Sequence, residues 1–332
     1  MSEKYEPPFT MNDAIVDSIV AIGQTTGRIL AQDSLSANPR LRRENRIKTI
    51  QSSLAIENNT LTIEQVTAVL DGKRVLAPPK DIREVQNAYE AYEALSSMDP
   101  YSMDDLLRSH RFMMAGLTEE AGRFRSKNVG VYDGDRLVHA GTPAHYVAEV
   151  MQELFSWLRS SSMHPLVKSC VFHYEFEFIH PFSDGNGRTG RLWHSLILQK
   201  WEPVFAWLPV ESMVGEHQQE YYDALAVADS AGDSSVFVEF MLRMIGNTLN
   251  EAVSERGDVG TNVGINVGRN PSKPDEGILA IMREEPSVTM ASLASTLGIS
   301  KRQVERIVAS LKKSGRIERI GANKNGRWTV RD

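Results

Sequence analysis

The chain has a single cysteine, Cys170, among its 332 residues. No intrachain disulfide can form, and no cysteine-based zinc site can be built. Nor does any stretch approach the roughly 18 consecutive apolar residues that a membrane span requires. The opening residues, Met1-Ser2-Glu3-Lys4-Tyr5, lack the apolar run of a signal peptide. The expectation is a cytoplasmic protein with no membrane partner. What is present is ordinary for a globular chain, with 41% hydrophobic and 24% charged residues. The length exceeds what one core normally serves, so two or three domains are expected.

Charge is distributed unevenly. The net charge is −6, yet Glu276 to Asp332 holds eleven Lys/Arg against six Asp/Glu, leaving that stretch at about +5 and the remainder near −11. The C-terminal part is therefore expected to meet a different partner from the rest.

Most segments read as helix. Leu41 to Ile56, Asp81 to Leu95 and Pro143 to Leu158 are candidates, the last with Val147, Val150, Met151, Leu154 and Leu158 on one face. Pro165 can open another through Tyr174. An apolar run from Leu192 to Leu198 follows Gly190, and Tyr221 to Ala228 and Ser235 to Leu249 also have helical spacing. The exception is Gly130 to Thr142, where Asp133-Gly134 separates two short β-prone runs and signals a hairpin. A lid or clamp and a plain surface hairpin both fit those residues.

Val259 to Gly268 is a small Val-Gly and Asn repeat, followed by Asn270-Pro271-Ser272-Lys273-Pro274. Its glycine and proline content marks a domain boundary. Beyond it come a short helix over Glu276 to Met282, a second after Thr289, and a third over Lys301 to Ser314 stopped by Gly315. Two β-prone runs, Arg316 to Ile320 and Gly326 to Val330, then flank a turn. Three helices and a terminal hairpin describe a winged helix-turn-helix. Lys301, Arg302, Arg306, Lys312 and Lys313 can contact phosphates, and Gln303 or Arg306 can reach bases. A solvated face on a protein-docking module accounts for the same residues.

Residues 180–191 read His-Pro-Phe-Ser-Asp-Gly-Asn-Gly-Arg-Thr-Gly-Arg. Gly185, Gly187 and Gly190 let a backbone approach a ligand closely. They precede an apolar helical run, whose N-terminus would direct free N–H groups at an anion. Arg188 and Arg191 add fork-shaped positive charge suited to phosphate. Asp184 is a hard oxygen donor of the kind Mg²⁺ uses beside substrate phosphates. His180 can accept a proton near neutral pH. Two other readings fail. Gly185-Asn186-Gly187-Arg188-Thr189-Gly190 matches a dinucleotide fingerprint, but the preceding residues continue a helical pattern and no acidic residue follows at the required distance. A Walker A loop would need Lys-Ser or Lys-Thr after the glycines. His164, His173, His180 and His194 lack zinc-ligand spacing.

The twelve residues match the Fic signature His-x-Phe-x-Asp/Glu-Gly-Asn-Gly-Arg-x-x-Arg at every fixed position. Over residues 1 to about 250 the chain resembles the Fic family. The resemblance implies a mainly α fold: a helical Fic core with a β-hairpin flap, joined here to a C-terminal winged-helix domain. Together with the composition beyond residue 250, it divides the chain into an N-terminal helical region (1–100), a catalytic core (101–250), a flexible linker (251–274) and the winged helix (275–332). It implies that AMP is transferred from ATP to a Tyr, Thr or Ser hydroxyl of a target protein. His180 would be the base and Asp184 the Mg²⁺ ligand. Gly185, Asn186 and Gly187 would form the anion hole, with Thr189 and Gly190 beside it, and Arg188 and Arg191 would hold the β- and γ-phosphates. Phe182 looks like a core anchor for the loop. The hairpin would bind the target by strand addition along Leu137, Val138 and His139. Tyr221 and Tyr222 resemble a pair lining the adenine pocket, although Tyr221 also fits a core position. Position 229, often asparagine in the family, is Asp229 here.

Ser53-Leu54-Ala55-Ile56-Glu57-Asn58-Asn59 resembles the family's inhibitory pattern, with Ser53, Glu57 and Asn59 at its fixed positions. The resemblance implies that Glu57 makes a bidentate, buried pair with Arg191 and keeps that arginine from the γ-phosphate. It also admits a second activity in which Glu57 positions a water that removes AMP. Self-modification and a homodimer are implied by resemblance alone. A rival reading is a DNA-binding transcriptional regulator with a nucleotide-sensing body derived from the same family. A variant moving the γ-phosphoryl group is a third, against which Gly187 and both arginines speak.

Overall fold

The computed structural model describes residues 5–31, 39–133 and 136–260, together with parts of 278–330. Contacts divide the chain into two units, Met1–Ser254 and Glu255–Asp332. The fold is mainly α. In the first unit α1 (Asp13–Ala31), α2 (Pro39–Ile56), α3 (Ile63–Leu70), α4 (Pro79–Ala94) and α5 (Met103–Met113) come before a hairpin of β1 (Gly130–Asp133) and β2 (Arg136–Ala140). After it come α6 (Val147–Ser160), α7 (Pro165–Ile179), α8 (Asn186–Trp201), α9 (Val210–Glu216), α10 (Gln218–Ala231) and α11 (Ser235–Gly260), the last of which runs past the unit boundary at Ser254.

Local chemistry sets several of these boundaries. Thr62 caps α3 in a reciprocal box with Gln65, Ser102 caps α5, and Pro165 occupies the first turn of α7. The centre of the unit is α7. Leu166, Cys170, Val171, Phe172, Phe176 and Ile179 are all buried, and so are Lys168, Ser169, His173 and Glu175, so the helix is enclosed on nearly every side. It packs between α6 and α8, where Phe155 meets Phe172 edge-on at 5.4 Å and Trp193 at 6.2 Å. Residues 174–179 belong to α7, which removes the strand that a dinucleotide site would need. Because α7 and α8 lie side by side, residues 180–185 form a tight connection between the C-terminus of one and the N-terminus of the other.

The helix expected after Gly190 begins earlier, at Asn186, because Gly185 takes a left-handed conformation (φ 84°) that turns the chain directly into α8. The hairpin is present as an antiparallel pair with Gly130 opposite Ala140 and a register shift between Val131 and Tyr132. At the other end α11 extends through Gly260, into the segment 251–274 that the sequence treats as linker; residues 261–274 lie outside the described residues. No described helix is long and apolar enough to cross a membrane.

The second unit has its own core, including Ile278, Leu293, Val304, Val308 and Trp328. Strands β3 (Ile317–Ile320) and β4 (Arg327–Val330) pair antiparallel. The Trp328 indole N–H donates to the Val288 carbonyl at 3.2 Å, tying β4 to the segment before it in sequence. Arg306 is exposed and Lys312 lies over the Trp328 ring at 5.0 Å. Lys301, Arg302, Gln303 and Lys313 fall outside the described residues.

Phe172 is fully buried between α6 and α8. Phe172→Ala is expected to lower unfolding free energy by about 3–5 kcal/mol, measured by urea titration; a loss under about 1 kcal/mol would contradict this picture of the core.

Candidate active site

The site is built where α7 stops. His180 ends the helix in a left-handed conformation (φ 53°), and its N–H still donates to Phe176 O at 3.0 Å. A non-glycine residue there carries strain, and the surroundings supply restraint. Arg125 donates Nε–H to the His180 carbonyl at 2.7 Å, and its other N–H groups to the carbonyls of Lys127, Ile179 and Thr142. His180 Nδ1 faces the Glu177 carbonyl at 3.4 Å. That oxygen can only accept, so Nδ1 carries the proton and Nε2 keeps its lone pair. Burial pushes the His180 pKa below its ordinary value, with Glu177 partly opposing the shift. The ring is therefore neutral and basic at Nε2 near neutral pH.

The following residues are held from α5. Phe182 is fully buried and stacks on His110 at 3.6 Å with the rings 2° from parallel. Gly122 N–H donates to His110 Nδ1 at 2.9 Å, which leaves the His110 proton on Nε2 to donate to the Asp184 carbonyl at 2.9 Å. Burial lowers the His110 pKa to about 4, so the ring is a fixed neutral bridge. Asn186 closes the turn, accepting from Phe182 N at 2.8 Å and donating to Phe182 O at 2.9 Å. Spacing in the sequence marks neither His110 nor Arg125, since both act across long sequence separations.

Gly185 is the N-cap of α8 and offers no side-chain oxygen, so the first N–H groups of the helix lack a side-chain cap. A Cβ at Gly185 would lie 2.6 Å from Met114 Sδ, and one at Gly187 would strike the Glu57 carboxylate. Gly190 has a different constraint. Its missing Cβ would lie 2.6 Å from Glu177 Oε1 and 3.1 Å from Phe176, so this glycine permits close packing on α7. Thr189 is fully buried. Burial pushes the neighbouring Glu177 carboxyl up to about 7. Arg188 lies between two carboxylates, giving NH2 to Asp184 Oδ1 at 2.8 Å and NH1 to Glu84 Oε1 at 3.1 Å.

Asp184 is the metal-ligand candidate. Among the described residues no group of three or more His, Cys, Asp or Glu could hold a metal unaided. A Mg²⁺ ion that draws most of its ligands from phosphates and water needs one or two carboxylates. The Asp184 side chain is 53% exposed with one oxygen paired to Arg188, and so fits that requirement.

Opposite this cradle stands the C-terminus of α2. Asn58 is left-handed (φ 65°). Asn59 N–H reaches Leu54 O and Asn58 N–H reaches Ala55 O, both at 3.0 Å, which is a Schellman stop with asparagine in the usual glycine position. Glu57 N–H also turns back to Leu54 O, leaving the Ser53 carbonyl free. Arg191 takes it: NH2 donates to Ser53 O at 2.9 Å and to Glu57 Oε1 at 2.8 Å, while Nε donates to Ser53 Oγ at 3.0 Å. Glu57 thus receives one N–H and not a bidentate fork, since Nε and the other N–H of the same nitrogen go to Ser53. Arg191 is 2% exposed and Glu57 31%, so only one partner is fully desolvated. Burial works against the Arg191 charge, but Glu57, Tyr221 and Glu177 together outweigh it and hold the pKa above its ordinary value. Gln218 caps the same helix end through Ile56 O at 3.0 Å.

On the hairpin, Leu137 and Val138 lie in β2, with side chains outside the described residues. His139 Nδ1 meets Asp229 Oδ2 at 2.8 Å, and Nε2 meets Phe178 O at 2.7 Å. Both partners only accept, so this geometry suits the doubly protonated imidazolium, in which both ring nitrogens donate. Asp229 Oδ1 also accepts from Tyr174 at 3.0 Å. Tyr221 is buried against Phe237, with its hydroxyl 3.1 Å from His173 Nε2, whereas Tyr222 is 44% exposed.

Helical core, hairpin and glycine-rich turn define a Fic-type domain. A model of the Fic/DOC family matches residues 100–198, and a model described as winged helix-turn-helix DNA-binding matches residues 272–318. The crystal structure of a Fic family protein from Desulfovibrio desulfuricans G20 is similar at a TM-score of 0.72 and 44% identity, covering 98% of each chain. Fic-1 from C. elegans is similar at a TM-score of 0.64 and 25% identity, covering 74% of each chain. In sequence, protein adenylyltransferase fic-1 of Caenorhabditis elegans is 31% identical over 254 residues, 71% of this chain and 47% of the relative. The chain spans about half the length of the curated relatives it matches. It belongs to the Fic/DOC family.

Two outcomes follow from this geometry. Hydrogen bonding to Asp229 raises the His139 pKa above its ordinary value. The stability gained from the pair is fully present below about pH 6.5 and is lost as pH rises through the raised value. An NMR titration should find the His139 pKa above the ordinary value in wild type and lowered by Asp229→Asn; an unchanged pKa would remove the assigned pair. At the end of α2, Asn58→Val should cost about 1–2 kcal/mol and Asn58→Gly close to nothing, measured by thermal unfolding; equal losses would reject the Schellman stop.

Proposed function

We propose that this protein is an adenylyltransferase that moves AMP from ATP to a Tyr, Thr or Ser hydroxyl of a protein, and that Glu57 restrains it. The observation that carries the reading is the Glu57 carboxylate set against Gly187 while engaging Arg191. An acid from another helix there stands where the N-terminus of α8 favours an anion.

In this reading His180 Nε2 accepts the proton of the incoming hydroxyl, whose oxygen bonds to the α-phosphorus as pyrophosphate leaves. The free N–H groups at the start of α8 receive the developing charge. Arg188 and Arg191 orient the outer phosphates, and Asp184 would hold Mg²⁺, which when bound neutralises phosphate charge. Glu57 restrains the reaction by occupying Arg191. A water directed by Glu57 to the phosphorus of the attached AMP would give a second activity, hydrolysis that returns the protein hydroxyl and releases AMP. The hairpin would receive the target along Leu137, Val138 and His139, Tyr221 and Tyr222 would border the base, and the molecule would act in the cytoplasm. Self-modification and a homodimer belong to the same reading.

A second reading is favoured by the match over residues 272–318: a DNA-binding regulator whose Fic body senses nucleotide. Binding of duplex DNA that weakens steeply with salt would support it.

The test is transfer of label from α-labelled ATP with Mg²⁺ to the wild type, to Glu57→Gly, and to Glu57→Gly with His180→Ala. Breaking one charge-assisted contact of roughly 1.5–3 kcal/mol should raise transfer about 10- to 100-fold in Glu57→Gly. Removing the base should then lower it by roughly 10²- to 10⁴-fold. No label on any of the three proteins would overturn the reading.

A further inference from the structure

Beyond Glu57, a second acid, this one buried, joins the end of α2 to the cradle. Glu84 projects from α4 and is 5% exposed. A buried carboxylate needs partners, and this one has two from opposite sides. Its Oε2 accepts from Asn59 Nδ2 at 2.8 Å, and its Oε1 accepts from Arg188 NH1 at 3.1 Å. Lys80 stands at the edge, 3.9 Å from Oε1.

Asn59 is held so that its amide cannot flip. Its Oδ1 accepts from Leu61 N at 3.1 Å, and its Nδ2 also donates to Asp81 O at 3.2 Å. A flipped amide would press oxygen against the Glu84 carboxylate. The backbone of Asn59 is meanwhile part of the Schellman stop, through Leu54 O. An unbroken chain of hydrogen bonds therefore runs from the last turn of α2 through Asn59 and Glu84 to the Arg188 guanidinium. Arg188 Nε is buried without a hydrogen-bond partner among the described residues, so the orientation of this guanidinium rests on Glu84 and Asp184.

We propose that Glu84 is the positioning residue for Arg188, and that through it the end of α2 governs both arginines of the cradle, Arg191 directly and Arg188 by relay. This rests on the proposed role of Arg188 as a phosphate ligand. The roles of the two acids differ. Glu57 withholds an arginine, and its loss should accelerate transfer. Glu84 sets the plane of an arginine, and its loss should weaken nucleotide binding. Asn59 fixes Glu84 and should matter only while Glu84 is present.

The experiment uses the full chain carrying Glu57→Gly, with initial rates of AMP transfer measured against ATP concentration. Glu84→Ala is expected to raise KM for ATP about tenfold or more, the effect of losing a charge-assisted contact, with kcat changed less than about threefold. Glu84→Gln, which keeps the shape and one acceptor, should give a smaller rise and provides the measurement if the alanine variant does not fold. Asn59→Ala should raise KM alone and add nothing to Glu84→Ala. An unchanged KM in both Glu84 variants, or full additivity with Asn59→Ala, would overturn the proposal. Calorimetric titration of the same proteins with a non-hydrolysable ATP analogue distinguishes failure of the positioning role from failure of the activity. If Glu57→Gly transfers no AMP but Glu84→Ala binds the analogue about tenfold more weakly, the activity is wrong and the positioning role stands. If AMP is transferred and the affinity for the analogue does not change, the activity stands and the positioning role is wrong.

Discussion

Arg191 is where two helices that are distant in sequence meet. It belongs to the first turns of α8, yet it acts as the C-terminal cap of α2, answering the Ser53 carbonyl that the Schellman stop leaves free. Helix ends present unsatisfied groups that must find partners, and the negative end of one helix attracts a cation. The guanidinium supplies both needs in one buried group. Ser53 Oγ and Glu57 then complete its coordination. The arginine that would hold a phosphate is thus also part of the folded end of a neighbouring helix.

If Glu57 restrains the site as proposed, this sharing shapes how the restraint would be relieved. Rotating Glu57 away would leave Arg191 bonded to Ser53, and moving α2 would expose the carbonyl that Arg191 caps. The same displacement would pull on Asn59, whose backbone belongs to the stop and whose side chain reaches Glu84. Several bonds depend on one helix end, so release is a property of the helix more than of any single side chain.

The reach of the sequence follows the range of the interactions. The twelve residues 180–191 form one local turn, and glycine, arginine and acid at fixed spacing announce it. The Ser53 to Asn59 segment is similarly local, and Asn58 in the left-handed position explains why asparagine follows Glu57. His110, Arg125 and Glu84 are different. Each reaches the turn from another element, and nothing in its immediate neighbours marks it. Gly190 is legible as a glycine that matters, but the reason lies in α7, which packs too closely for a side chain. The apolar run from Leu192 puts the start of α8 too late, because it hides a helix that Gly185 initiates among polar residues. The fork expected between Glu57 and Arg191 is a single contact, because Ser53 receives Nε and shares NH2, a competition that spacing within a motif does not reveal.

Arg125 directs its hydrogen bonds to the main-chain oxygens of Lys127, Thr142, Ile179 and His180. It keeps its charge while bracing the turn that carries His180, and that charge is one of the influences lowering the imidazole pKa. Shape and basicity are therefore inherited together. A replacement here that relaxes the turn would also shift the His180 imidazole, coupling where the ring points to how readily it takes a proton.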